Sequence, residues 1–280
     1  MIDLKNYLVM KMISLVILLL LTPHCTRASS KNQSTGARSN AMGKASVASI
    51  DIWANYNNQA ALAKLEKIQL GIFYENRFQL EDLSTKAIAL YYPTKLGGFN
   101  LNYSQFGSDL YKESKIGLGY SKALGEHLWA SVQLNQMRVK LNQINGEQGK
   151  YNFEVGLLAE IFSDFYLGFH LFNPSQEKFE TLYFDEAIPT VARFGLSWHL
   201  SKETILNAEV EKDLDHDIRL KLGVEHKLLE NLFIRLGVSS QPSQISFGIA
   251  YQYKVVKMNL AYSKHQTLGY TPSFDLNISF

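Results

Sequence analysis

The sequence predicts an all-β protein: an antiparallel transmembrane β-barrel of about 14 strands, with a small N-terminal hatch inside the lumen. Three observations predict it. From about Lys67 to Phe280, apolar residues recur at every second position, the period of a strand with one oily and one wet face. An apolar run of the kind found in export signals precedes this region. The connections between the alternating segments also take turns in length, as bacterial barrels do with tight periplasmic turns and longer external loops.

Composition agrees. The chain has 280 residues, 46% of them hydrophobic, enough for one large domain. Its formal net charge of +2 gives no pull toward nucleic acid. The 15 Tyr and 16 Phe are numerous enough to form girdles at two membrane interfaces.

Residues 1–28 read as a signal peptide. Met10-Lys11-Met12 leads into Ile13–Leu21, broken only by Ser14 and too short to span a bilayer as a helix. Thr26 and Ala28 are the small residues of a cleavage site after Ala28. Cys25 follows Thr22-Pro23-His24, a poor lipidation motif, so cleavage after Ala28 would leave a mature chain without cysteine. A signal followed by a barrel places the protein in the outer membrane.

Residues 29–66 are expected to form a linker and hatch. Small residues dominate from Gly36 onward, and the Ala-rich end, Gln59–Ala63, reads as a short helix capped by Asn57 or Asn58. Such a segment cannot form a core alone and needs a cavity to occupy.

Residues 67–280 form the expected barrel. The strands are read at 67–78, 85–94, 97–107, 111–124, 127–141, 151–161, 165–174, 187–200, 203–214, 217–229, 232–241, 244–254, 256–266 and 269–280. The longer connections are expected around Glu81-Asp82, Ser108-Asp109, Asn145-Gly146-Glu147 and Asn173 to Glu186. Lumen and lipid faces separate cleanly in the later strands: Ile218, Leu220, Leu222 and Val224 oppose Arg219, Lys221, Gly223 and Glu225. Leu232, Ile234, Leu236 and Val238 likewise oppose Phe233, Arg235 and Gly237. A Lys or Arg on the lipid side at mid-membrane would cost about 2–4 kcal/mol. Strand 85–94 is apolar on both faces, which predicts packing against the hatch. Fourteen strands tilted near 40° close to a radius of roughly 14 Å, so something must fill the lumen.

Gly36-Ala37-Arg38, Ala41-Met42-Gly43, Asp51 and Asn58-Gln59-Ala60-Ala61-Leu62-Ala63 resemble the start of PorV/PorQ-type proteins, within the FadL-like group of outer-membrane barrels. That pattern reads G-A-R, M-G-G-A, D and N-P-A-G-L-A. Here Lys44 stands for a glycine, Gln59 for the proline and Ala61 for the second glycine. The resemblance implies a fourteen-stranded barrel with an N-terminal hatch whose motif residues are Gly36, Ala37, Arg38, Met42, Gly43, Asp51, Asn58 and Ala60. It also implies one of two roles: carriage of hydrophobic molecules, or assistance to type IX secretion in Bacteroidetes.

Arg193, Glu209, Glu211, Arg219, Lys221, Glu225 and Arg235 share the lumen side of four consecutive strands. They form either a polar track for a solute or a salt-bridge network that stiffens the wall and holds the hatch. Trp53 and Tyr56 either anchor the hatch or touch a ligand. Asp213-Leu214-Asp215-His216-Asp217 lacks the glycine and glutamate of a calcium loop, with Ile218 and Val224 in their places, so no metal site is expected. His170 and His199 have no serine nucleophile motif beside them, so no catalytic residue is assigned. No cofactor is expected. Phe280, ending an amphipathic strand, resembles the signal read by the barrel-assembly machinery. The expected partners are outer-membrane lipid, that machinery, and a hydrophobic small molecule or secretion-system proteins. A plugged channel for small hydrophobic solutes is the first reading; a non-transporting partner of a secretion or surface-protein complex is the second.

Overall fold

The computed structural model describes residues 34–141, 146–180 and 185–280; the expected signal peptide lies outside the described residues. Sixteen strands follow one another: β1 Gln69–Asn76, β2 Ser84–Thr94, β3 Gly97–Gly107, β4 Tyr111–Ala123, β5 Leu128–Leu141, β6 Gly146–Phe162, β7 Phe165–Phe172, β8 Lys178–Glu180, β9 Asp185–Ala187, β10 Val191–His199, β11 Thr204–Asp213, β12 Arg219–Leu229, β13 Leu232–Ser240, β14 Ser243–Tyr253, β15 Val256–His265 and β16 Gly269–Ser279. Fourteen of them close an antiparallel barrel in which β7 pairs with β10 and β1 with β16. The closing pair runs from Gln69↔Ser279 to Glu75↔Ser273. The N–H of Phe280 donates to Ile68 O at 2.9 Å and extends that seam by one bond. The barrel sheet has no open edge, which is what a strand assembly needs in hydrocarbon.

The alternation read from the sequence is the alternation of burial. On β12, Leu220 and Val224 face outward while Lys221 and Glu225 are buried. On β13, Leu236 is 60% exposed and Arg235 is fully buried. Two stacked aromatic pairs mark the rims of the outer surface. Tyr262 stacks on Tyr270 near one rim, and Phe162 stacks on Phe165 near the other. Interfacial girdles are placed in this way.

Two expectations are corrected. The sixth strand begins at Gly146 rather than 151, because β5 and β6 stay paired out to Leu141↔Gly146; the connection there is short, not long. The third connection is also short, with only three residues between Gly107 and Tyr111. Length therefore concentrates in the seventh connection, which folds its own antiparallel ribbon, β8 with β9. Phe179 and Ile188 of that connection are buried against Met137, Val139, Phe172 and Val191. We call the barrel end that carries this connection the loop end. The end where β1 starts and β16 finishes is the turn end.

Residues 34–66 lie inside the barrel. They form helix α1 (Ala37–Ala41), helix α2 (Ala54–Asn57) and a 3-10 helix, Gln59–Lys64. The Asn58 side chain accepts from the Ala60 N–H at 3.2 Å and caps the last of these. The Ala-rich end is thus helical, but wound as 3-10. Ala37, Ala41, Trp53, Ala60, Ala61 and Leu62 are each at most 1% exposed.

Candidate functional site: the plugged lumen

The plug is held by named contacts to almost every side of the wall. Gly36 opens α1 at φ 107, and a Cβ there would meet Trp53 Cγ at 2.5 Å, so both backbone and space demand glycine. The N–H of Ala37 donates to Asp275 Oδ2 at 2.6 Å. Arg38 is the hub. Its Nε and Nη2 donate to the two oxygens of Glu225 at 2.9 and 3.0 Å, and its Nη1 to Asp51 at 3.0 Å. This bidentate fork joins two parts of the plug motif to the wall. Burial works against the Arg38 charge, but Glu225 and Asp51 more than offset it and hold its pKa above the ordinary arginine value. The other carboxylate oxygen of Asp51 accepts from the Trp53 N–H at 2.8 Å.

Met42 and Gly43 rest on bare backbone. Gly223 and Gly237 face each other across β12 and β13, and both point into the lumen. A Cβ on Gly237 would lie 2.0 Å from Gly43 N, and one on Gly223 would lie 2.4 Å from Met42 O. Gly248 on β14 would meet Ala41 Cβ at 2.4 Å. Three neighbouring strands thus leave a shallow glycine seat for the end of α1. Lys44, standing where the resembled pattern has glycine, takes φ 67, the left-handed region that glycine favours. Asn58 donates to Val47 O at 2.7 Å and to Leu157 O at 3.0 Å, tying plug and wall together, and Ala60 is fully buried beside it.

The predicted lumen charges come together as cross-strand pairs. Arg193 lies opposite Glu211 on β11, which lies opposite Arg219 on β12; Glu209 lies opposite Lys221, and Glu225 opposite Arg235. Arg193 Nε–Glu211 is 3.0 Å, Arg219 Nη1–Glu211 is 3.1 Å, and Lys221 Nζ reaches Glu209 at 2.6 Å and Glu211 at 2.7 Å. Arg235 Nε bonds Glu225, and its Nη1 bonds Asn259 at 2.8 Å. The network divides in two. Its Glu209 branch accepts from the plug N–H groups of Ser46 and Val47 at 2.7 and 2.8 Å, and its Glu225 branch takes Arg38. Geometrically it ties wall to plug.

A second polar system was missed by the sequence reading. Asn100, Asn102, Gln133, Asn135, Asn152 and Glu154 line the lumen side of β3, β5 and β6, all at most 2% exposed. Gln133 Oε1 accepts from Asn100 and Asn102 at 2.7 and 3.0 Å, and Glu154 accepts from Asn135 at 2.8 Å and from the plug's Gln59 at 2.7 Å. His170, fully buried, contacts Glu154 at 2.9 Å. The signal was present: Asn and Gln hold the lumen-side positions of three strands, with Glu154 the one carboxylate among them.

Trp53 and Tyr56 pack in the apolar part of the plug contact. The Trp53 and Phe73 rings lie 5.6 Å apart, and the Tyr56 hydroxyl sits 2.7 Å from Tyr103 O and 2.9 Å from Ile88 O. Phe280 lies far from all of this, exposed at the turn end. Among the described residues no cluster of His, Cys, Asp or Glu is arranged to hold a metal.

No protein-family description and no curated protein matches the chain. Solved structures do. The chain resembles the CymD monoaromatic hydrocarbon channel with a TM-score of 0.67 at 12% identity, over 90% of this chain and 99% of that one. It resembles the Pseudomonas putida toluene transporter TodX with a TM-score of 0.62 at 11% identity, over 88% and 97% of the two chains. A Pseudomonas aeruginosa FadL homologue follows with a TM-score of 0.58 at 13% identity, over 91% and 99%. At these identities the likeness is one of fold: the chain has the FadL-like barrel.

Proposed function

We propose that the protein is an outer-membrane channel for small hydrophobic molecules, closed here by its own N-terminal segment. One observation supports the reading: a complete fourteen-stranded wall of the fold found in barrels described as hydrocarbon channels and toluene transporters, here with residues 34–66 packed against its lumen side. In that reading the loop end faces outward, the turn end faces the periplasm, residues 1–28 direct export, and Phe280 is read by the assembly machinery. The lumen charges Arg193, Glu209, Glu211, Arg219, Lys221, Glu225 and Arg235 latch the plug rather than conduct.

The test is uptake of radiolabelled toluene by cells producing the protein, paired with ion conductance of the purified barrel in planar bilayers. Toluene uptake with little ion conductance is expected, and deletion of residues 36–66 should open a large conductance. Absence of uptake through the intact protein rejects the channel.

A second reading has its own support. The PorV/PorQ-like motif at Gly36–Gly43 and Asn58–Ala63 is used wholly for holding the plug, as a barrel that never opens would use it. In that case the protein is a non-transporting partner of a type IX secretion or surface-protein complex. Recovery of a stable complex from native membranes, together with no uptake, would favour it.

A further inference from the structure

Two adjacent strands of the wall, β1 and β2, give the apolar cluster four of its eight wall residues, the rest being Trp129, Leu158, Tyr166 and Ala261. On the lumen side of β1 and β2 three of the cross-strand pairs are Phe73↔Ala87, Gly71↔Ala89 and Gln69↔Tyr91, and the one nearest the loop end, Glu75↔Thr85, is polar and takes Asn40 of the plug at 2.7 Å. Phe73, Ala87, Ala89 and Tyr91 are buried and belong to one continuous apolar cluster with Ile52, Trp53, Ala54, Tyr56 and Leu62 of the plug. The flanking strands offer no such surface. Asn100 and Asn102 lie on β3, and Ser273 and Asp275 on β16, all buried and polar.

The strip joins two cavities. At the loop end a cavity of about 80 Å³ is bounded by Tyr56, Phe73, Phe106 and Met137 and by the charged Glu75, Arg77, Glu113 and Lys115. At the turn end one of about 550 Å³ is bounded by Ala63, Leu65, Tyr91, Pro93 and Leu96. Phe73 and Tyr56 form the floor of the first, and Tyr91 the roof of the second. Between them stand small residues, Ala54, Ala87 and Ala89. The Trp53 indole N–H, buried in this seam, has no hydrogen-bond partner among the described residues. A buried donor without an acceptor is costly, and the face of an aromatic ring is an acceptor for it.

We propose that the solute crosses along this β1–β2 strip, between plug and wall, and that Tyr91 closes the strip at the turn end. The proposal rests on the channel reading and narrows it to small uncharged hydrocarbons, aromatic ones foremost. The reason is desolvation. A solute moving anywhere else around the plug must break buried hydrogen bonds or ion pairs, each group costing kilocalories when left unpaired. Along the strip most contacts are apolar, and among the described residues only the bonds of Tyr56 to Ile88 O at 2.9 Å and of Asn55 to Leu90 O at 3.4 Å stand in the way. An ionised headgroup meets no counter-charge at the Gly71↔Ala89 rung and is excluded there. Tyr91 suits a gate because its buried ring lines the turn-end cavity beside Gly98, where no Cβ holds it in place.

The chain has 3 Trp, so a Trp198→Phe background leaves Trp53 and Trp129 as reporters, both in the apolar cluster. Iodobenzene quenches tryptophan on contact. With the protein in amphipol, saturable quenching is expected in this background. Ala87→Leu and Ala89→Leu, which fill the strip, should weaken it at least about fivefold and lower toluene uptake in parallel. Ser263→Leu, placed on the far, β15 side of the adjoining loop-end cavity of about 180 Å³, should change neither. Tyr91→Ala removes bulk instead of adding it and should speed both quenching and uptake several-fold; it keeps the test decisive if a leucine variant fails to assemble. Assembly is scored by heat-modifiable gel migration. Non-saturable quenching in the background protein overturns the strip. So does uptake that survives the leucine variants or falls with Ser263→Leu, and in that case the channel reading stands. No uptake through the parent protein overturns the channel itself, and the passage with it.

Discussion

The two sides of the wall hold the same plug by different chemistry. From β10 to β16 the plug meets ion pairs and a glycine seat: Arg38 forks onto Glu225, Glu209 takes two backbone N–H groups, and Met42-Gly43 lies on Gly223 and Gly237. From β3 to β7 it meets mostly a carboxamide lattice, in which Asn55 and Gln59 join Asn100, Asn102, Gln133 and Asn135 around Glu154, a carboxylate paired with Lys115, with one plug-to-wall ion pair, Lys64 to Glu160 at 3.0 Å. A buried ion pair is no stronger than well-packed apolar groups when intact, yet removing one partner strands a charge. A carboxamide that loses one partner loses only a neutral hydrogen bond. The charged side is therefore the brittle one, and the amide side the forgiving one.

The largest expected effect follows from that. Arg38→Met takes the guanidinium from Asp51, leaves Glu225 with Arg235 alone and should destabilise the plugged state by about 3 kcal/mol. Ion conductance in bilayers reads it as opening; a silent variant would erase the distinction between the two sides. Gln133→Leu on the amide side should cost less, under about 3 kcal/mol, because Asn100 keeps its bond to Asn55 Oδ1 at 2.9 Å. Urea unfolding in vesicles measures it, and a loss equal to that of Arg38→Met would break the comparison.

A pH dependence sharpens it further. Burial lowers the Lys44 pKa from 10.5 to about 8; Glu75 opposes that shift, while Arg77, Arg219 and Lys221 add to it. Between about pH 8 and 10.5 the unfolded chain binds the proton that the folded protein has released, so stability should rise with pH across that window. Lys44→Met should flatten the slope, as read by thermal melting at pH 7.5, 9 and 10. The smallest effect belongs to an ion pair outside both systems. Arg138 and Glu147 are 51% and 55% exposed at 3.6 Å, and Arg138→Ala should cost under about 1 kcal/mol and vanish in high salt.

Much of this was readable from the chain. Alternation over 67–280 gave the strand count and the lipid face, because a period of two maps one-to-one onto two environments. It also gave the odd character of β2, whose Ala87, Ala89 and Tyr91 pack on the plug as two-sided apolarity requires. The charged side was visible because opposite charges at lumen positions of adjacent strands attract notice. The amide side was not, since Asn and Gln fit a solvated wall as well as a buried lattice. The glycine seat escaped too: Gly223 and Gly237 were placed on the lumen face, but nothing local says that another backbone will press there.

What the sequence determined by itself is the wall: period, face and approximate register are local properties of each strand. The interior was decided only by tertiary structure. Arg38 finds Glu225 across 187 positions and Ala37 finds Asp275 across 238, contacts that exist only once the cylinder has closed around its own beginning. Shape and desolvation, which no local pattern encodes, choose those partners.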